Sequence, residues 1–223
     1  MTVSGAPVFI SLLGVSTVLA QPPDTEDPAS GAAHDGHKFG AWLFPVEKLN
    51  YVLAHWVQLG GEFRSRFEGE EGIRYTTTDD NYLLTRLRFN LTIQPLKRLT
   101  FFGGMEDSRV FFNQQVPDAV PYQSAFDIRQ AYVQAGSSKE GWTDIIVGRQ
   151  VLVFGNERVI GPSDWINVGH TFDAVCFDVH QSGYRLSLFA SSVVVGVDGS
   201  MDHLVGNNLY GVYGSLKNAV PEG

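Results

Sequence analysis

From His55 onward the chain alternates apolar and polar residues with a period of two, the pattern of an extended strand with two unlike faces. In the first such segment Val57, Leu59, Gly61, Phe63, Ser65 and Phe67 share one side. Gln58, Gly60, Glu62, Arg64, Arg66 and Glu68 share the other. A helix would spread these charges around its circumference, whereas a strand sorts them. The next segment sets Leu87, Phe89, Leu91 and Ile93 against Arg86, Arg88, Asn90, Thr92 and Gln94. Beyond a tight connection at Pro95 and Lys97, Leu99, Phe101, Gly103 and Met105 oppose Thr100, Phe102, Gly104 and Glu106. Weaker segments of the same kind follow. Ala131, Val133 and Ala135 oppose Gln130, Tyr132 and Gln134; Val175, Phe177 and Val179 oppose Cys176, Asp178 and His180. Leu186, Leu188 and Ala190 oppose Arg185, Ser187 and Phe189, and a last strand runs through Leu209 to Leu216. Between Trp142 and Phe154 the run Ile145-Ile146-Val147 hides the facing.

The pattern gives about eight strands, several long enough to cross a bilayer, which takes about 9–11 tilted residues each. Short connections (Gln94 to Arg98, Gly136 to Gly141, Gln181 to Gly183) alternate with long ones (Gly69 to Asn81, Phe112 to Ala125, Phe154 to Thr171). That is the arrangement of an outer-membrane barrel, with turns on one rim and loops on the other. A soluble carbohydrate-binding β-sandwich also alternates. The polar face separates the two, because it carries repeated Arg, Glu, Gln, Asn and Tyr instead of Lys, Ser and Thr. Trp56, Tyr82, Phe101, Phe102, Phe111, Phe112 and Trp142 fall near segment ends, where interfacial girdles would place them, and Tyr210 and Tyr213 suit an interface too. The expected fold is therefore all-β, an antiparallel transmembrane β-barrel over residues 51–223.

Composition agrees with this reading. Mean hydropathy is −0.05, too low for a bundle of transmembrane helices but normal for strands that average a lipid stripe and a polar face. A net charge of −8 argues against nucleic acid as a partner. A single cysteine rules out an internal disulfide framework and a Cys-based zinc site. Cys176 reads as a small buried or lumen-facing residue. His34 and His37 lie in a Gly-rich stretch and are expected to be solvated, so no metal or cofactor is expected. Residues 1–20 read as a signal peptide that lacks a basic start, and residues 21–50 as a flexible linker. The Gly155 to Gly161 segment lacks the Lys-Ser/Thr ending of a phosphate loop. Carboxylate pairs such as Glu62 with Glu68, or Asp164 with Asp173, arise by chance among 24 acids, and no enzyme is expected.

The run from Val147 to Gly161, with Gly148-Arg149-Gln150 and Asn156-Glu157-Arg158, resembles the alginate export porins of Gram-negative outer membranes. So does its continuation from Trp165 through Phe172-Asp173-Ala174. Glu62-Phe63-Arg64, Arg86-Leu87-Arg88, Glu106-Asp107-Ser108-Arg109 and Gln130-Ala131-Tyr132-Val133 are similar to the family in the same order. The resemblance implies a barrel of about 18 strands, of which this chain would supply the N-terminal part. It implies passage of an anionic exopolysaccharide such as alginate through an arginine-rich constriction. The implied partners are that polymer or small anionic solutes, outer-membrane lipid and periplasmic export components. His170 stands where the family often has Arg, which removes a permanent cation.

A polyuronate channel needs fixed cations to offset the cost of dehydrating carboxylates, and nearby anions so that the polymer does not stick. Arginine suits the first role through its planar fork and permanent charge. Arg64, Arg66, Arg86 and Arg88 fall on the polar face; Arg129, Arg149 and Arg158 lie on or beside later strands. Glu62, Glu106 and Asp173 are the intervening acids. For any one arginine, pairing within the wall and contact with substrate stand as equal alternatives. A general or anion-selective diffusion porin is the other transport reading.

Overall fold

A computed structural model describes residues 50–72, 78–137, 142–157, 159–181, 183–194 and 207–216. The expected signal peptide, most of the expected linker and Arg158 lie outside the described residues. Eight strands form one antiparallel sheet. They are β1 (Val57–Glu70), β2 (Asp80–Leu96), β3 (Leu99–Phe111), β4 (Ser124–Gly136), β5 (Thr143–Gln150), β6 (Thr171–Gln181), β7 (Tyr184–Val194) and β8 (Asn208–Leu216). Each strand pairs with its neighbours in sequence, so the sheet is a simple meander. Among the described residues β1 and β8 each have a single partner. No described helix is long and apolar enough to cross a membrane.

Burial is inverted relative to a water-soluble protein. Phe63, Phe67, Leu87, Phe89, Phe101, Val133, Val175, Phe177, Leu186 and Leu188 are exposed on one face. Arg66, Arg86, Arg88, Glu106, Asp144, Gln150, Asp178 and Ser187 are buried on the other. A sandwich would cover the apolar stripe with a second sheet; the described residues form one sheet, and the charged face is the covered one. β5 follows the same rule, with Ile145 and Val147 outward and Asp144, Ile146, Gly148 and Gln150 inward. Gly148 belongs there because its φ is +125° and an added Cβ would lie 2.3 Å from the carbonyl oxygen of Ala131.

Trp56, Phe101, Phe111, Phe112 and Trp142 are exposed near strand ends. Tyr82 and Phe102 correct the girdle expectation, being 0% and 5% exposed. Tyr82 shares the inner parity of Leu84 and Arg86, while Phe102 shares that of Glu106 and stacks on Tyr132 with centroids 5.0 Å apart. Tyr213 likewise turns inward onto Phe154, 5.1 Å away, whereas Tyr210 is exposed.

The inner face is filled by two connections. After β5 stops at Gln150, the apolar run continues but leaves the sheet, and residues 151–157 and 159–170 fold across its inner side. Leu152, Phe154 and Ile160 pack on Phe172, Ala174, Cys176 and Phe189, with Phe154 stacked on Phe189 at 4.8 Å. The connection between β3 and β4 seats Val116 and Tyr122 against Tyr82, Leu84 and Val110. It is pinned by the Asp80 carboxylate, which accepts from the backbone N–H groups of Gln114, Gln115 and Val116 at 3.0, 2.7 and 3.0 Å.

The inverted facing makes a direct prediction. Phe89 is mid-strand on the exposed apolar face, so Phe89→Arg is expected to cost about 2–4 kcal/mol when the protein folds into a bilayer. Urea titration of folding into liposomes measures it.

Candidate functional site

Sheet register assembles the charged side chains. Across β1 and β2, Glu62 lies opposite Arg88 and Arg64 opposite Arg86. Across β2 and β3, Arg88 lies opposite Glu106. Inward residues on neighbouring strands are close enough to pair directly, and they do. Arg86 Nη2 is 2.6 Å from Glu62 Oε1, Arg88 Nη1 is 3.3 Å from Glu62 Oε2, and Arg88 Nε is 2.5 Å from Glu106 Oε2. Arg66 Nε lies 2.5 Å from Glu68 Oε1.

Arg129 joins by a different route. Alternation with inward Gln130 would turn it outward, but the β3–β4 register shifts between Gly104 and Met105, leaving Arg129 as an extra residue. This bulge redirects its side chain. Arg129 Nε then sits 3.2 Å from Glu106 Oε2.

The β5–β6 connection supplies the central anion. Asp164 Oδ1 accepts from Arg88 Nη2 at 2.9 Å and Arg129 Nη2 at 3.0 Å, with Arg86 Nη1 at 3.9 Å. The backbone here is gripped as well. Arg64 donates to the carbonyls of Asp164 (2.7 Å) and Ile166 (3.0 Å), Arg86 donates to that of Asp164 (3.1 Å), and Arg66 donates to that of Trp165. Arg66 also lies 4.5 Å from the centroid of the Trp165 ring. Asn167, 1% exposed, donates from Nδ2 to the carbonyls of Thr85, Arg109 and Tyr122 at 3.1, 3.2 and 2.8 Å. Its own carbonyl accepts from Ser108 Oγ at 3.0 Å. Arg64 differs from its neighbours: among the described residues its guanidinium has backbone carbonyls and an amide for partners and no carboxylate within ion-pair distance.

Of the residues singled out in the sequence, Glu62, Arg64, Arg66, Arg86, Arg88 and Arg129 are brought together, and Glu106 with them. Arg149 and Asp173 are placed apart. They lie opposite each other on β5 and β6 with the parity of outward Val147 and Val175, and form a two-pronged pair at 2.9 and 3.2 Å. Arg158 lies outside the described residues. His170 closes a turn, its N–H donating to the Pro162 carbonyl at 2.7 Å. Cys176 is buried on the inner face, with Sγ donating to Asp178 Oδ2 at 3.8 Å. Asp178 also accepts from Ser187 Oγ and Arg185.

A sequence model of one protein family, alginate export, matches residues 55–221. The chain belongs to the alginate export family. No curated protein and no solved structure matches it. The alginate export family is one of outer-membrane β-barrel porins, a transport family and not an enzyme family, so the chain resides in the bacterial outer membrane and serves polysaccharide export.

In this alginate export protein the residues that sequence reasoning passed over are Asp164 and Asn167. Asp164 entered only as a chance carboxylate pair with Asp173, yet it is bound by Arg88 and Arg129 while Asp173 is bound by Arg149. The available signal was the connection's length. A long connection with no alternation of its own inside a compact sheet is commonly functional.

Burial alone would raise the Asp164 carboxyl, but Arg88, Arg129 and Arg86 outweigh it and hold it below its ordinary 3.8. A carboxyl lowered in the docked state favours docking at every pH above its free value, and that contribution fades as pH falls through the lowered one. Protease resistance of the 151–170 connection should thus be flat from about pH 8 to about pH 5 and decline only in stronger acid. Asn167→Ala leaves three carbonyls without their donor, at a cost of about 1–3 kcal/mol for buried acceptors. The same proteolysis assay at neutral pH should show faster cleavage of that connection in the variant.

Proposed function

We propose that this protein exports an anionic exopolysaccharide such as alginate through a lumen whose cations are Arg64, Arg66, Arg86, Arg88 and Arg129. The observation that carries this reading is Asp164. A carboxylate from outside the strands is held by guanidiniums of β2 and β4, so the cluster is shaped to take a carboxylate from the lumen side. A uronate group of a passing polymer has the same charge and the same pair of oxygens, and competes for the same donors. Glu62, Glu68 and Glu106 keep most of these guanidiniums paired, which holds affinity down and lets the polymer leave. Arg64, with no carboxylate within ion-pair distance among the described residues, is the cation first available to the solute.

In this reading residues 51–223 form the barrel domain, behind a signal peptide over 1–20 and a linker over 21–50. The edges of β1 and β8 that lack a partner among the described residues are paired in a closed barrel of about 18 strands, since hydrocarbon penalises any unpaired strand edge. Arg149 and Arg158 then contribute outside the central cluster, Arg149 with Asp173 at the end of β5. The internal pairing also favours a second reading, an anion-selective diffusion porin, in which small anions replace the polymer.

Planar-bilayer reversal potentials under a salt gradient test the proposal. Full-length protein is expected to prefer anions, and Arg64→Gln to lower that preference severalfold. Adding Arg88→Gln and Arg129→Gln is expected to abolish it. Unchanged selectivity in the triple variant would sink the arginine-lined channel. Block by small anions with none by a uronate oligomer would select the diffusion porin.

A further inference from the structure

Beside the arginine cluster, toward the long-connection rim, lies a cavity of about 410 Å³, within the size range of small-ligand sites. Arg66, Glu68, Glu70, Tyr82, Tyr122 and Trp165 give it its chemistry. Three features point to a ligand that both donates and accepts hydrogen bonds and has an apolar face. The Tyr82 hydroxyl lies 2.8 Å from Glu68 Oε2 and 2.7 Å from Glu70 Oε1, but it has one proton, so one carboxylate contact is always without it. Glu70 has no other partner among the described residues. At the Tyr82 hydroxyl, carboxylate acceptors therefore exceed donors. Arg66 is 6% exposed; Nη1 donates to the Trp165 carbonyl, Nε lies 2.5 Å from Glu68 Oε1 without a hydrogen bond to it, and Nη2 has no partner among the described residues. The third feature is shape. Trp165 rests on the Arg66 guanidinium by one side and is still 67% exposed, which leaves a flat apolar ring open at the cavity wall.

An apolar ring beside carboxylate acceptors and one guanidinium donor suits a pyranose, which has an apolar C–H face and a rim of hydroxyls. We infer that the cavity is a sugar-ring subsite: a pyranose unit lies against Trp165, its hydroxyls donate to Glu68 and Glu70, and one of its oxygens accepts from Arg66. The inference rests on the export reading and adds to it. Glu68 and Glu70 disfavour a uronate carboxylate here, so this subsite reads hydroxyls while the neighbouring arginines, reached through Asp164, read charge. Binding at it does not require the sugar to be charged.

Calorimetry on detergent-solubilised full-length protein tests this, with mannotetraose as an uncharged probe and a mannuronate tetramer as its anionic counterpart. Mannotetraose is expected to bind with little salt dependence. Trp165→Ala should weaken it about tenfold, which is about 1.4 kcal/mol, and Trp165→Phe should restore most of the loss. Mannuronate binding that ignores both substitutions, with no binding of mannotetraose, would overturn the subsite and leave export standing. Trp165-dependent binding of mannotetraose without any for mannuronate would support the subsite and count against an anionic cargo.

Discussion

Arg88 reaches carboxylates on three separate segments: Glu62 on β1, Glu106 on β3 and Asp164 in the β5–β6 connection. It is 6% exposed, and a guanidinium withdrawn that far from water persists only where its charge and donors are met. Meeting them fixes the register of three strands at once and draws a long connection across the inner face. A sheet whose apolar side faces lipid cannot use that side to organise its interior. Around Arg88, charge pairing takes the place that apolar packing holds in a soluble fold, with the small apolar cluster of Tyr82, Leu84, Val110 and Val116 beside it.

The other end is organised differently. On β6 and β7 the inner positions Phe172, Ala174, Cys176 and Phe189 are apolar, and Leu152, Phe154 and Ile160 pack on them. The same connection is thus bound by apolar contact to the later strands and by hydrogen bonds to the earlier ones. Its first part behaves as a core segment. Its second part, from Asp164 to Asn167, is a polar insert among arginines.

Period-two alternation made the strands legible, because an exposed apolar face alternates with a covered one; β1 and most of β2 carry charge on the covered face, while β6 and β7 carry apolar residues on part of it. It also placed Arg64, Arg66, Arg86 and Arg88 correctly on one side. It was silent on Arg129, since a bulge that adds one residue inverts facing beyond it and leaves no mark in composition. For Arg149 the run Ile145-Ile146-Val147 concealed the parity, and the register sets it beside Asp173 with the outward residues. Tyr82 and Phe102 sit near strand ends as girdle residues do, but their parity outweighs their position. Asp164 and Asn167 were out of reach because a connection without periodicity carries no facing information, and its fold is dictated by partners far away in sequence.

Asp164 and Asn167 hold one stretch of chain by unlike forces, and dissolved salt acts on only one of them. The Asp164 side chain is 52% exposed, so mobile ions reach it and weaken its hold on the guanidiniums as ionic strength rises. The Asn167 amide is uncharged and sealed among three carbonyls, where screening has nothing to act on. Concentrated electrolyte, or a dense polyanion that brings its own counterions, therefore loosens the segment at one point while a neutral pivot three residues along stays closed.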